Sequence, residues 1–132
     1  MSHVSWPLLG ERPVIQIVLT LAQSDQKTAR SLLADTGAGK RNAPFELLLD
    51  EHDCLLAGGK STHAVVLGGS YRGSFPLYVI RVEIPQINFA DDLYVVGVPN
   101  PPKHLEGIAG FRFLNRFTYG NFGMAGEFGL ET

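Results

Sequence analysis

The sequence predicts a mainly β protein with a single domain, and three observations carry that expectation. Short runs rich in β-branched and aliphatic residues recur, as at Val14–Leu21 and Leu93–Val98. Fifteen Gly and eight Pro divide those runs at the spacing expected of many short strands. A short amphipathic helix is expected at one place, where Phe111, Leu114 and Phe117 repeat with Arg112, Asn115 and Arg116 between them. At 132 residues the chain reads as one domain, 1–132, able to bury a moderate core. The expected core runs from about 14 to 122, between an N-terminal arm (1–13) and a C-terminal tail (123–132).

Taken in order, Met1 to Pro13 carries two prolines and a glycine and is expected to be irregular. Trp6 in it is either a surface anchor for the arm or part of a subunit contact. Val14–Leu21 is the first strand. Ser24-Asp25-Gln26 supplies a turn, and Thr28–Ala34 returns as the second strand of a hairpin. Lys40-Arg41-Asn42-Ala43-Pro44 is a polar loop. Phe45–Leu49 reads as a short strand, and Leu47–Leu56 reads equally well as one or two helical turns. Thr62–Leu67 and Phe75–Ile84 form a second hairpin around the turn Gly68-Gly69-Ser70-Tyr71-Arg72-Gly73. Pro85 interrupts the pattern before the strand Leu93–Val98, and Pro99-Asn100-Pro101-Pro102 stops that strand. Gly107-Ile108-Ala109-Gly110 is a short apolar stretch ahead of the helix. Phe117–Phe122 is the final strand candidate, and Gly123–Thr132 a glycine-containing tail.

Composition narrows the function classes. Apolar residues at 45% and charged residues at 18% suit a folded globule rather than a disordered chain. A net charge of -2 offers no basic footprint for nucleic acid. No apolar run approaches the ~20 residues that span a bilayer, and Met1–Pro7 lacks the layout of a signal peptide. Cys54 is alone, so no internal disulfide can form and a reducing, cytoplasmic setting is expected. His52, Cys54 and His63 have no zinc-site spacing, and neither a metal nor a cofactor is expected. The glycine-rich turn at 68–73 lacks the strand-loop-helix context and the Lys-Ser/Thr pair of a phosphate loop.

The chemistry-bearing stretch is Leu32-Leu33-Ala34-Asp35-Thr36-Gly37-Ala38. A strand turns wholly apolar and then ends in an acid. An ionised carboxylate beside such a run is costly unless it is paired or hydrogen-bonded, and the small residues after it let backbone amides approach. The plain alternative is an ordinary Asp-Gly turn closing a strand. No Ser-His or Cys-His arrangement competes with it.

With the glycine-tipped hairpin at Leu67–Gly73 and the Gly107–Gly110 element before a short helix, this order resembles the retroviral-type (retropepsin-like) aspartic proteases, from about Val14 to Phe122. The resemblance implies a closed β-barrel of short strands with one short C-terminal helix. It implies that Asp35 is catalytic, with Thr36, Gly37 and Ala38 supporting the active-site loop. Leu67, Gly68, Gly69, Ser70, Tyr71 and Gly73 would form a substrate-binding flap, and Ile108, Gly110 and Phe111 would pack the site or line a pocket. One Asp-Thr-Gly per chain implies a homodimer with the site on its twofold axis. There Thr36 would bond across the axis, and two Asp35 carboxylates would activate a water to hydrolyse a peptide or protein substrate. The runner-up is an inactive dimerisation or peptide-binding module on the same fold. A third reading is a small β-barrel with an accidental Asp-Thr-Gly turn.

Two positions depart from the retroviral pattern. Gly39 stands where those enzymes usually carry Asp, and Phe111 where they carry Arg. Those two residues form an ion pair in the family, and here both are missing together, so no charge is orphaned. The chain also runs on past Phe122, so its dimer interface is expected to differ from one built of interleaved termini.

Overall fold

Six strands form a closed ring. They are β2 (Val14–Thr20), β3 (Lys27–Ala34), β4 (Leu47–Asp50), β6 (Gly73–Ile84), β7 (Phe89–Val98) and β8 (Gly107–Ala109). Hydrogen bonding runs in the order β2-β3-β8-β4-β7-β6, and β2 returns to β6 through Val18 and Glu83. The molecule is therefore an all-β barrel. The computed structural model describes the backbone of residues 1–132 and every side chain except that of Thr62. Alternation along β2 shows why the barrel closes: Ile15, Ile17 and Leu19 are buried while Gln16 faces solvent. Each such aliphatic side chain removed from water contributes about 1.5–3 kcal/mol.

β5 (Ser61–Leu67) lies outside the ring and pairs only with β6. The β5–β6 hairpin is thus a projection of the barrel wall. The hairpin β6–β7 is longer than the sequence indicates, because a 3-10 turn at Pro85–Ile87 ends in Asn88 at φ +54° and lets β7 begin at Phe89. Segment 45–56 takes both of its readings in turn. Strand β4 gives way to helix α1 (Glu51–Leu56) at Asp50, whose side chain accepts the His52 N–H at 2.8 Å and caps the helix. Arg30 on β3 then clamps Asp53 of α1 through two bonds of 2.9 and 3.0 Å.

Both chain ends correct the sequence reading. The arm 1–13 is not irregular throughout: His3–Pro7 is strand β1. The tail 123–132 contains strand β10 (Glu127–Glu131), and the two pair antiparallel, Val4 opposite Leu130 and Trp6 opposite Phe128. Strand β9 (Thr118–Gly120) completes this three-stranded sheet. It is shorter than Phe117–Phe122 because Phe117 turns inward to stack edgewise on Phe113 and Phe89, at centroid distances of 5.3 and 5.4 Å. Trp6 is only 6% exposed, packed in its own chain's core, and so is neither a surface anchor nor a subunit contact. Helix α2 (Phe111–Leu114) is the expected short helix, and its Phe113 and Leu114 are fully buried. Among the described residues, no helix is long and apolar enough to cross a membrane.

Candidate active site

β3 ends against β8, pairing Leu33 with Ile108 and Ala34 with Ala109. One residue further on, the Asp35 N–H still donates to the Ala109 carbonyl at 3.0 Å. The carboxylate-bearing residue is therefore anchored to the barrel at its backbone. The chain then turns tightly: the Ala38 N–H donates to the Asp35 carbonyl at 3.1 Å, and the Gly37 N–H donates to Asp35 Oδ1 at 2.9 Å. That second bond orients the carboxylate. A Cβ on Gly37 would lie 3.2 Å from the same oxygen, so glycine keeps this space open.

The turn is braced from behind by α2 and the residue before it. The Phe111 N–H donates to the Ala38 carbonyl at 2.9 Å and the Gly110 N–H to the Glu46 carbonyl at 3.0 Å. A Cβ on Gly110 would come within 2.7 Å of the Ala38 oxygen, a distance that backbone must move to relieve. Arg112 of α2 and Arg116 just past its end extend the brace. Arg112 donates to the Ala43 carbonyl at 2.7 Å. Arg116 grips Glu46 in a bidentate pair, 2.5 Å from Nε to Oε1 and 2.8 Å from Nη2 to Oε2, and reaches Asp91 at 3.1 Å. Glu46 is 2% exposed, and the pair gives each of its carboxylate oxygens a hydrogen-bond partner. Hydrogen bonding to Glu46 holds the Arg116 guanidinium above its ordinary range, against the opposing effect of burial.

These bonds join residues 38–46 to residues 110–116. Gly39 has φ +79°, and a Cβ there would sit 3.1 Å from Ala43 Cβ and 3.3 Å from the Phe45 ring, so this position favours glycine.

In front of Asp35 opens a cavity of about 660 Å³. Asp35, Gly37, Ala38 and Ile108 form one side, residues 39–45 with Leu48 a second, and Val66–Tyr71 the overhanging third. The overhang is the tip of the β5–β6 hairpin, whose last pair is Leu67 with Gly73. Gly69 has φ +68° and nothing within 4 Å of a notional Cβ, so the tip is unpacked. Tyr71 ties it down: its hydroxyl donates to the Asn100 carbonyl at 2.8 Å, and its ring meets Phe75 edge-on at 6.5 Å. Burial pushes the Tyr71 hydroxyl above its ordinary range.

The structure thus gathers Asp35, Gly37, Ala38, Leu67, Gly68, Gly69, Ser70, Tyr71 and Ile108 around one cavity. Thr36 is exposed on the same loop but outside the cavity wall. Gly73 lies at the base of the hairpin tip, and Gly110 and Phe111 lie behind Ala38 rather than in the wall. Sequence reasoning missed Phe45 and Leu48 in the wall, the Arg116–Glu46 and Arg112 braces, and the Asn100 anchor. Two arginines four apart, one in a short helix and one just past its end, carry no local sign that one of them faces a buried acid.

Elsewhere, Cys54 is buried and its thiol is pushed up to about 12 by burial, with Asp53, Glu51 and Asp50 adding to the effect, so it is not a reactive thiol at neutral pH. The chain matches no protein-family model, and no curated protein shows significant similarity to it.

Proposed function

We propose that the protein is an aspartic-type endopeptidase, a hydrolase that acts as a homodimer with one Asp35 from each copy. The observation that supports this reading best is the setting of Asp35. It is a half-buried carboxylate held by its own loop amide, facing a cavity of mixed polar and apolar lining under the tip of the β5–β6 hairpin. One carboxylate accounts for half of the required chemistry. Thr36 is exposed beside it, where the loop of a second copy can reach.

Two carboxylates a few Å apart share one proton. The ionised one takes a proton from water, and the water oxygen attacks the scissile carbonyl carbon. The protonated one gives its proton to the carbonyl oxygen. Collapse of the tetrahedral intermediate breaks the C–N bond as a proton passes to the leaving nitrogen, which yields an acid and an amine. A closed hairpin excludes bulk water during these steps. The lone, buried Cys54 fits a reducing, cytoplasmic setting.

Asp35→Asn tests the assignment. The variant should fold and sediment as wild type while losing peptide cleavage, because an amide cannot serve as the base. A statine-type inhibitor should bind wild type more tightly than the variant, since its hydroxyl mimics the intermediate. Light scattering should give a dimer. Cleavage retained by purified Asp35→Asn, or full activity from a strict monomer, would end this reading. Peptide binding without cleavage by wild type would favour a binding module.

A further inference from the structure

We infer that the cleft selects peptides carrying acidic side chains on both flanks of the cleaved bond, an inference that rests on the endopeptidase reading above. The whole chain is acidic, with 13 Asp and Glu against 11 Lys and Arg. The two segments that wall the cavity invert that balance. Residues 36–45 contain Lys40 and Arg41 and no acid, and residues 66–76 contain Arg72 and no acid. Lys40 is in the cavity wall itself, Arg41 lies between the wall residues Lys40 and Asn42, and Arg72 follows the wall residue Tyr71. All three cations are exposed.

Their lack of partners separates them from most other cations of the chain. Lys27, Arg30, Arg81 and Arg116 are ion-paired, and Arg12 and Arg112 donate to backbone carbonyls. The side chains of Lys40, Arg41 and Arg72 make neither contact among the described residues. Within the wall the one acid is Asp35, recessed at the closed end of the loop. A peptide threading the cavity would meet apolar surface at Phe45, Leu48 and Ile108, and unneutralised positive charge at the rim. Clustered charge of one sign around a cleft raises both the encounter rate and the affinity of oppositely charged ligands. In a twofold dimer the rim occurs twice, once for each flank of the peptide.

The test uses the Asp35→Asn variant, so that binding is read without turnover, at a concentration where light scattering shows the assembled form. Three fluorescent decapeptides share a central Leu-Phe. Each carries two glutamates, two glutamines or two lysines on both flanks, two to four residues from the central bond. Anisotropy should rank them Glu, Gln, Lys, with the Glu peptide about three- to tenfold tighter than the Gln peptide at low salt. The gap should shrink at about 0.5 M salt. Adding Lys40→Gln and Arg41→Gln should narrow the Glu-to-Gln ratio. Equal binding of the three peptides, or a ratio indifferent to salt, would overturn the inference. So would tighter binding of a single-stranded DNA decamer than of the Glu peptide. Failure of the parent reading looks different: wild type would bind the Gln peptide and leave it uncut.

Discussion

The two walls of the cleft are built on opposite principles. The wall that carries Asp35 is tied down at every level. It has backbone bonds to Ala109 and Phe111, a glycine packed against the Ala38 carbonyl, and behind it the buried Glu46 paired with the partly exposed Arg116. Among the described residues 66–73, the tip of the hairpin wall has one side-chain hydrogen bond, Tyr71 to Asn100, and its Gly68 and Gly69 have open space where a Cβ would stand. The difference teaches where order is required. On the endopeptidase reading proposed above, a carboxylate that must meet a water and a carbonyl within tenths of an ångström needs a rigid mount. On the same reading, a wall that must admit a chain and then cover it needs a low opening cost.

Substitutions can sharpen or break this contrast. The largest effect is expected from Arg116→Ala, which strands the Glu46 carboxylate in the interior and should cost about 3 kcal/mol in urea unfolding. A loss below about 1 kcal/mol would mean that water reaches Glu46 and that the brace is ornamental. Pairing it with Glu46→Gln should recover part of the loss, as coupled neighbours do. Next comes Gly110→Ala. The added methyl would meet the Ala38 oxygen, so stability should fall by about 2 kcal/mol and cleavage should fall with it as the loop shifts. An unchanged variant would show that the loop has slack.

On the hairpin side the same class of change should separate stability from turnover. Gly69→Val has open space around it but must hold φ +68°, so the penalty is about 1–2 kcal/mol and stays within the tip. Unfolding midpoints should barely move while peptide turnover drops. Full activity on a peptide that fills both sides of the cleft would reduce the hairpin to a surface turn. The smallest effect belongs to Tyr71→Phe, worth about 1 kcal/mol or less. Amide exchange across residues 67–73 should quicken, with the global midpoint unmoved. Protection equal to wild type would show that the Asn100 bond does not hold the tip.

How far the sequence could be read follows from the distance over which each feature is decided. Asp35 was readable because its signal is local: an apolar strand, an acid at its end, small residues after it. The hairpin tip was readable for the same reason, since two glycines and a serine announce a turn. Segment 45–56 was ambiguous because both readings were right in succession, and only the Asp50 cap marks the change. Strands β1 and β10 were hidden because each is five residues long, and their partners are more than 100 residues apart in the chain. Alternation of Val4 with Trp6 has little meaning until Leu130 and Phe128 stand opposite. The Arg116–Glu46 pair is a contact across 70 positions, set by where α2 lands on the barrel, and no spacing rule reports it.

The terminal sheet also has a mechanical consequence. β1 and β10 are antiparallel, with His3 opposite Glu131, and the Thr132 N–H donates to the Ser2 carbonyl. A load applied between residues 2 and 132 would therefore peel this pair like a zipper, one rung at a time, rather than shear all its rungs together. Single-molecule stretching from those two points should register early, low-force opening of β1 and β10 with the six-stranded barrel still closed. A single high-force event that releases both together would contradict it. Tension along the chain would thus be absorbed in the terminal sheet before it reached the mount of Asp35.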